Sequence, residues 1–403
     1  MNDTNYNRPL SSVFTDGFFR FLVFILLFIS LLFAQRNLVL IAILILAMFY
    51  ISRIWSHLSV KRIHYSFDAE KKKGFPGETI SLQATVFNNK LLPIWLKLTI
   101  PIDKKIDNKS YSKNNSLSEE FRLLWYDSSL WQWKITTDHR GCFKIGPPYL
   151  ETGDLLGFFK QRKYLSQSVE MIVYPKPIYL NSFFSPIKEL FGKPGVDSPV
   201  KDPIYPVSTK DYYHGDPAKY IHWKASARHN RLQSKVFDSS SQKKIFLIID
   251  VTSFKNTMNE DLFEKTLEVA GAIILEFDRQ GSPYGLLSNG KIAGDYSSTI
   301  SIATGPEQLS LSMEFLARLQ EEIGSSMQKI LFKENIISAG TGCIYCTYSL
   351  NKKNMQIAEL LKQHQIPVYF IIASPSVGSK TINTPIFRLD EIHGGIIESQ
   401  KIV

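Results

Sequence analysis

The pattern of apolar and polar positions divides the chain into three stretches. Near the N-terminus, Phe18 to Ala34 is almost wholly apolar and Leu38 to Ile51 is apolar without a break. From about residue 60 to 180, short runs alternate apolar and polar residues at period two, which is typical of strands buried on one face. After residue 240, continuous apolar runs alternate with stretches of helical periodicity, which predicts strands joined by helices.

Only Gln35-Arg36-Asn37 separates the two N-terminal apolar segments. At ~1.5 Å per residue the first segment reaches about 26 Å, close to a hydrocarbon core of about 30 Å. The second segment is long enough if its helix continues to Trp55. A signal peptide has a single apolar core before a small-residue cleavage site, and two segments fit that pattern poorly. The sequence therefore predicts an N-terminal tail over residues 1–16 and a two-helix transmembrane hairpin over residues 17–56.

Basic residues near the ends of the segments predict the orientation of this hairpin. Arg8 and Arg20 precede the first segment, whereas Arg53 and Lys61 flank the end of the second. The turn between them carries Arg36 alone. We therefore expect a multi-pass membrane protein whose soluble domains face the cytoplasm.

The stretch from residue 57 to 180 predicts a β-sandwich-like domain. In the run Thr79 to Phe87, the residues Ile80, Leu82, Ala84 and Val86 fall at strict period two and form the expected core face. Turn-forming residues separate this run from others of the same kind. An antiparallel sandwich with one buried face per strand accounts for this pattern. Asp154 is interpreted as a turn-capping residue.

The stretch from residue 241 to 403 predicts an α/β domain with a parallel sheet and helices on both faces. Its first strand, Lys244 to Asp250, is a continuous apolar run that ends in an acid. Thr257 or Asn259 can cap the following helix, which Gly281 ends. Further strands are expected at Tyr284–Leu287, Cys343–Tyr348 and Val368–Ala373, and further helices from Pro306 and over Met355–Leu361.

Composition narrows the functional classes. The chain has 403 residues, a net charge of +10 and 21% charged residues, which excludes a disordered chain. We attribute the positive charge to membrane association rather than to nucleic-acid binding, because the apolar hairpin lies next to basic residues. Cys343 and Cys346 have redox-pair spacing, but they lie on opposite faces of a predicted strand, so we interpret them as structural. Nucleotide-binding loops of the P-loop type and hydrolase nucleophile elbows are missing from the sequence.

Residues 181–240 predict a linker that carries one unusual segment, Ser208 to Arg228. This segment resembles the signature of the domain of unknown function 58 (DUF 58) family, although Lys219 stands where the family usually has Arg. The matching residues are Tyr212, Gly215, Asp216, Ile221, Trp223, Lys224, Ser226, Ala227, Arg228, Leu232 and Lys235. The resemblance extends to Gly77-Glu78, to Arg140 through Pro147, to Asp154 through Phe159 and to Val173 through Pro177.

The resemblance implies that the C-terminal domain is von Willebrand factor A-like. Such domains hold Mg²⁺ at a metal-ion-dependent adhesion site written Asp-x-Ser-x-Ser, where hard oxygen donors converge on a small cation. Asp250 and Thr252 match the first two ligands, but Phe254 replaces the third. Ser349 lies where a later strand should end in Asp. We therefore expect a degenerate site in which Asp250 caps the following loop or helix.

The signature segment supports two interpretations that the sequence leaves open. Trp223 can bury its ring against a domain, or it can form a cationic docking surface with Lys224 and Arg228. Asp216 is interpreted as an Asx-turn residue. A metal site made of His214, Asp216 and His222 is not favoured, because the sequence offers no fourth ligand.

The expected function is that of a membrane-anchored, non-enzymatic protein-interaction scaffold without a cofactor. The resemblance is to a family of bacterial proteins, so it implies a location in the bacterial cytoplasmic membrane. It also implies a MoxR-type AAA+ ATPase as the partner, together with other von Willebrand factor A proteins, in an envelope-related or chaperone-like assembly. The alternative is a Mg²⁺-dependent adhesion module or an uncharacterised enzyme that uses Asp250 and Thr252.

Overall fold

A computed structural model describes the chain over thirteen ranges and divides it into two compact units, Met1–Tyr174 and Pro175–Val403. The described residues are 8–9, 13–33, 35–106, 115–154, 159–180, 206–213, 217–237, 244–255, 259–294, 296–333, 341–364, 366–374 and 385–396. The division falls six residues before the end of the range 57–180 that the sequence assigns to the β-rich domain.

Two helices form the N-terminal part of the first unit. A short strand β1 (Arg8–Pro9) precedes helix α1 (Val13–Leu32), which is followed by helix α2 (Arg36–Ser59). By length and composition, α2 is the one helix among the described residues that could cross a membrane, and the apolar part of α1, Phe21–Leu32, is shorter. The hairpin expected over 17–56 thus contains one candidate span, and α2 continues three residues beyond residue 56.

Helix α2 belongs to the fold of the first unit through the side chains of its second half. The ring of Phe49 contacts the ring of Phe159 edge-on, with centroids 5.0 Å apart. Ser56 Oγ donates a hydrogen bond to the carbonyl oxygen of Phe159 at 3.2 Å. Ser52, Ser56 and Ser59 are buried, so the small polar residues of α2 mark the side that lies against the strands.

Lys90 fixes the C-terminal end of α2. Its side chain is nearly buried, and its Nζ donates to the carbonyl oxygens of Leu58 at 2.9 Å, of Lys61 at 2.6 Å and of Ser59. The last carbonyls of a helix have no partner inside the helix, so a buried ammonium there satisfies them and complements the helix dipole. Burial and the nearby Lys163 lower the pKa of Lys90 to about 8.

The rest of the first unit consists of strands. They are β2 (Ile63–Ala69), β3 (Lys73–Gly74), β4 (Ile80–Asn88), β5 (Ile94–Pro101), β6 (Ser116–Leu123), β7 (Ser128–Ile135), β8 (Gly141–Ile145), β9 (Tyr149–Gly153), β10 (Lys160–Tyr164) and β11 (Val169–Val173). A five-stranded sheet has the order β1-β10-β9-β5-β6, and two three-stranded sheets have the orders β2-β4-β7 and β3-β11-β8.

The apolar faces of these sheets share one core. The expected alternation in β4 is confirmed, because Ile80, Leu82, Ala84 and Val86 are all buried. They cluster with residues from β5, β8 and β11, so all three sheets contribute to the same hydrophobic interior. Burial of alternate residues on one face of each strand is what holds such layers together.

The second unit begins with strands that the sequence did not reveal. They are β12 (Ile178–Leu180), β13 (Pro206–Asp211) and β14 (Gln233–Phe237), with helix α3 (Trp223–His229) between the last two. Strand β12 pairs with β23 (His393–Ile396) near the end of the chain. Strands β13 and β14 pair with each other inside the range 181–240 that the sequence interprets as a linker.

The following chain alternates strands and helices, as expected from the sequence. The elements are β15 (Lys244–Ile249), α4 (Thr252–Lys255), α5 (Glu260–Arg279), β16 (Tyr284–Ser288), β17 (Gly290–Ile292), β18 (Thr299–Ala303), α6 (Pro306–Arg318), β19 (Leu319–Ile323), α7 (Met327–Lys333), β20 (Thr341–Thr347), α8 (Lys352–Gln363), β21 (Val368–Ile372), β22 (Ile386–Arg388) and α9 (Leu389–Ile392). Asn259 caps α5, since its side chain accepts from the Leu262 amide at 3.4 Å.

Six of these strands form one sheet in the order β18-β16-β15-β20-β21-β22. The prediction of a parallel sheet needs correction, because β18 runs antiparallel to β16 at one edge and the sheet is mixed. A short return connection after β16 is compatible only with an antiparallel neighbour, whereas the helical connections elsewhere allow parallel ones. Helices α5 and α6 cover one face, and α7 and α8 cover the other.

Candidate functional site

The segment that resembles the family signature folds as a β-hairpin with a helical insertion. Strands β13 and β14 run antiparallel, with Thr209 opposite Lys235 and Asp211 opposite Gln233. A 3₁₀ turn over Ala218–Tyr220 and the helix α3 lie between them. Gly215 and Asp216, together with His214, lie outside the described residues.

Polar side chains of the segment hold α3 against β14. His222 Nδ1 accepts a hydrogen bond from the Ala225 amide at 3.1 Å and so caps the helix. Ser226 Oγ donates to the His222 carbonyl at 3.0 Å and accepts from the Gln233 amide at 2.8 Å. The signature positions Ile221 and Tyr212 contribute backbone pairing, Ile221 with Ser234 and Tyr212 with Leu232. These contacts give His222 and Ser226 a structural role.

The outer side of α3 is aromatic and basic. Trp223 is 70% exposed, and Lys224 and Arg228 are exposed on the same short helix. Lys219 Nζ lies 4.9 Å from the centre of the Tyr220 ring, a cation–π contact beside the helix. An exposed tryptophan buries little area, so the interpretation that the Trp223 ring packs in a core does not match its exposure. We call Lys219, Trp223, Lys224 and Arg228 the α3 surface.

Asp250 lies at a second candidate position, the carboxyl end of β15. The next strand in the chain, β16, pairs on one side of β15, and β20 pairs on the other. Ligands of open α/β sheets bind where the strand order reverses in this way. The Asp250 side chain is 2% exposed, and Oδ1 accepts from the Thr252 amide at 3.0 Å. Asp250 thus caps the turn that leads into α4, where the sequence predicts a cap of the following loop or helix.

Asn289 and Tyr345 complete the shell around Asp250. Asn289 Nδ2 donates to Asp250 Oδ1 at 2.8 Å and to Thr252 Oγ1 at 2.7 Å. Tyr345 Oη donates to Asp250 Oδ2 at 3.2 Å. Burial and the Asp250 carboxylate raise the pKa of Tyr345 well above its ordinary value, so its hydroxyl keeps its proton. Sequence reasoning missed both residues, although Asn289 directly follows an apolar strand.

The other positions of the implied adhesion site do not supply ligands. Phe254 is fully buried, and its ring packs edge-on against Phe263 and Tyr348 at 5.4 and 5.8 Å. Ser349 offers its backbone carbonyl to Thr347 Oγ1 at 3.2 Å. Within the described ranges, groups of three or more His, Cys, Asp or Glu that could hold a metal are absent. The residues present do not fit Mg²⁺, which needs oxygen ligands in octahedral geometry.

The two cysteines of β20 are buried on opposite sides of the sheet. Cys346 belongs to the core under α5 and α6, and Cys343 to the core under α7 and α8. Burial raises the pKa of each thiol to about 12. A reactive dithiol needs a lowered pKa and access to solvent, so this geometry gives a structural role to both cysteines.

Comparisons with solved structures give weak likenesses. The β-glucosidase from Listeria innocua in complex with glucose matches at 10% identity with a TM-score of 0.16, over 28% of this chain and 16% of that one. The alkylpurine DNA glycosylase AlkC of Pseudomonas fluorescens, bound to DNA containing an abasic site analog, matches at 14% identity with a TM-score of 0.20, over 30% and 35%. Neither value supports a shared fold.

Sequence comparisons are more informative. The uncharacterized protein YeaD of Bacillus subtilis (strain 168) is 26% identical over 188 residues, which are 45% of this chain and 45% of the relative. The match therefore spans less than half the length of that relative. Residues 208–310, which include the α3 surface, β15 and Asp250, match the family described as protein of unknown function DUF58.

Proposed function

We propose that this chain is a membrane-anchored, non-enzymatic scaffold that binds an acidic partner protein through the α3 surface. The exposure of Trp223 beside Lys224 and Arg228 carries the proposal. Interface hot spots are enriched in tryptophan and arginine. The α3 surface is basic, so it matches a partner that presents acidic residues. Attraction between the opposite charges would accelerate their association at low salt.

The partner we propose is a MoxR-type AAA+ ATPase, with other von Willebrand factor A proteins as further members of the assembly. This part rests on the resemblance of the α3 segment to the DUF 58 signature. The order of the six-stranded sheet supports a von Willebrand factor A-like domain. From one edge of the sheet to the other, its strands are the third, second, first, fourth, fifth and sixth of the six in chain order. The β-rich first unit is proposed to be sandwich-like.

The anchoring proposal is that α1 and α2 both cross the cytoplasmic membrane. Helix α2 supports it by its length and composition. Arg53, Lys61 and Arg62 near its end favour a cytoplasmic location for the following chain. Cysteines introduced at Gln35 should react with an impermeant reagent on intact cells.

The alternative of a Mg²⁺-dependent adhesion module or enzyme at Asp250 and Thr252 is not favoured. Both side chains already receive hydrogen bonds from Asn289, and Phe254 is part of the core. Nothing in that network presents an activated nucleophile or an exposed acid–base pair.

Affinity purification of the full chain from solubilised membranes of the native cell tests the proposed function. The MoxR-type ATPase should be captured by the parent chain, and Trp223→Ala should lose at least about 2 kcal/mol of binding free energy without a change in Tm. Trp125→Ala is the matched control, because Trp125 is 59% exposed in the first unit. Lys224→Glu with Arg228→Glu should also abolish capture, and Lys352→Glu with Lys353→Glu on α8 should not.

Two outcomes would contradict the proposal. One is that the ATPase fails to accompany the parent chain in repeated purifications at low salt. The other is that it accompanies Trp223→Ala and the double charge reversal as strongly as it accompanies the two control variants.

A further inference from the structure

Three strand ends converge where the implied adhesion site would hold a cation. Asp250 follows β15, Asn289 follows β16, and Tyr345 lies in β20. The nitrogen of the Asn289 amide lies 2.8 Å from Asp250 Oδ1 and 2.7 Å from Thr252 Oγ1. These two oxygens are the ones that match the first two metal ligands of the adhesion motif. A hydrogen-bond donor therefore lies between the oxygens that a cation would bridge.

The hydrogen bond of the amide oxygen, Asn289 Oδ1, determines the orientation of this side chain. Asn289 Oδ1 accepts a hydrogen bond from the Val251 amide at 2.8 Å, and a backbone N–H can only donate. The nitrogen must then face Asp250 and Thr252. The backbone carbonyl of Asn289 accepts from the Gly324 amide at 2.9 Å, and the residue is 1% exposed. Both the main chain and the side chain of Asn289 are thus held in place.

Asp250 is fully supplied with donors by this arrangement. The backbone of Thr252 and the side chain of Asn289 serve Oδ1, while the hydroxyl of Tyr345 serves Oδ2. A buried carboxylate is stabilised by two or three such hydrogen bonds. A divalent cation entering here would have to displace the amide and leave its N–H groups unpaired in a buried place, which is costly.

We propose that the side-chain amide of Asn289 is a built-in substitute for a divalent cation at Asp250 and Thr252. This end of the sheet keeps its shape without metal, and binding events there do not depend on Mg²⁺ or Mn²⁺. The inference is independent of the proposed scaffold function, because it concerns the internal chemistry of the second unit.

Asn289→Asp tests this substitution, because it replaces the donor with a third oxygen ligand for a cation. The full chain in detergent is heated with EDTA, with millimolar Mg²⁺ and with millimolar Mn²⁺. The parent chain should show the same Tm in all three. Asn289→Asp should melt several degrees lower in EDTA, owing to repulsion between its carboxylate and Asp250, and should recover with Mn²⁺ or Mg²⁺.

The double variant Asp250→Asn with Asn289→Asp is the matched control, since it has a single carboxylate and should show no cation-dependent recovery. If Asn289→Asp does not fold, Asn289→Ala goes through the same titration. It opens Asp250 and Thr252 to a cation, so a rise in Tm with Mn²⁺ supports the proposal and an unchanged Tm overturns it. The proposal is also overturned if the cation raises the Tm of the parent chain, or if it leaves folded Asn289→Asp unchanged.

Discussion

Lys90→Met should weaken the attachment of α2 to the strands of the first unit. The substitution keeps an unbranched side chain of similar length and removes the ammonium that donates to the carbonyls of Leu58, Ser59 and Lys61. The new side chain still fills the space, so the change reports on the hydrogen bonds rather than on a cavity.

The expected loss follows from the surroundings of the three carbonyls. The hydrogen bond to Ser59 is buried, and a carbonyl left there without a donor costs about 1–3 kcal/mol. The bonds to Leu58 and Lys61 are partly buried, so water can replace part of each. Removing a buried charge acts in the opposite direction. We expect a net loss of about 2 kcal/mol in the free energy of unfolding of the first unit.

Tryptophan fluorescence during denaturant unfolding of the full chain in detergent measures this loss. Of the 6 tryptophans, all but Trp223 lie within Met1–Tyr174, so the signal reports mainly on the first unit. Lys97→Met is the matched control: Lys97 pairs with Glu120 at 2.8 Å on an exposed face, and such pairs contribute ~0–1 kcal/mol. Equal unfolding free energies for Lys90→Met and Lys97→Met would refute the role of Lys90 as the cap of α2.

Two further predictions concern titratable groups that are buried or partly buried. In the native protein, Cys343 and Cys346 should resist a thiol reagent while the partly exposed Cys142 reacts. All 3 thiols should react after denaturation. Rapid reaction of more than one thiol in the native protein would contradict the burial of Cys343 and Cys346. Burial, with Glu260 and Glu264 nearby, raises the pKa of Glu321 above its ordinary value. The folded state then holds this proton more tightly than the unfolded state, so stability falls as pH rises from about 4.5 through the folded pKa. Glu321→Gln should remove this loss of stability and raise the denaturant midpoint at neutral pH. Glu322→Gln is the control and should not raise it, because Glu322 pairs with the exposed Lys291. Equal midpoints for the two variants would rule out a destabilising effect of Glu321.

The sequence predicted the regular parts of both units because burial imposes a period on them. Strand β4 has one buried face and therefore alternates, and β15 is buried on both faces and therefore reads as a continuous apolar run. Strands β13 and β14 were not predicted, because Ser208, Lys210 and Lys235 make them polar. The two strands pair with each other, so neither has the apolar pattern of a strand in a buried sheet. Strand β18 was not predicted at all, because its run Thr299–Ala303 is short, alternates polar and apolar residues and is only partly buried.

The candidate site was predictable only where its residues are neighbours in sequence. Asp250 and Thr252 were found because they lie two positions apart and match the first two ligands of the adhesion motif that the resemblance implies. Asn289 lies 39 positions from Asp250, and Tyr345 lies 95 positions from it. Their proximity follows from the order of β16, β15 and β20, which residue patterns do not specify. Trp223 posed a different problem, because the same residue serves a core or an interface, and only its exposure separates the two.

The contacts of α2 with Phe159 and Lys90 determine how a movement of this helix would reach the strands. A helix that tilts to match the thickness of a bilayer normally turns alone if a loose linker follows it. Here α2 is held at two places. Phe49 and Ser56 contact Phe159, the residue before β10, and Lys90 donates hydrogen bonds to carbonyls at the end of the helix. Any tilt of α2 would therefore swing β10 with it. For the same reason, a chain shortened to begin at residue 60 would lose the helix surface that contacts Phe159 and two of the three carbonyl acceptors of Lys90, so the strands that remain should be less stable than in the full chain.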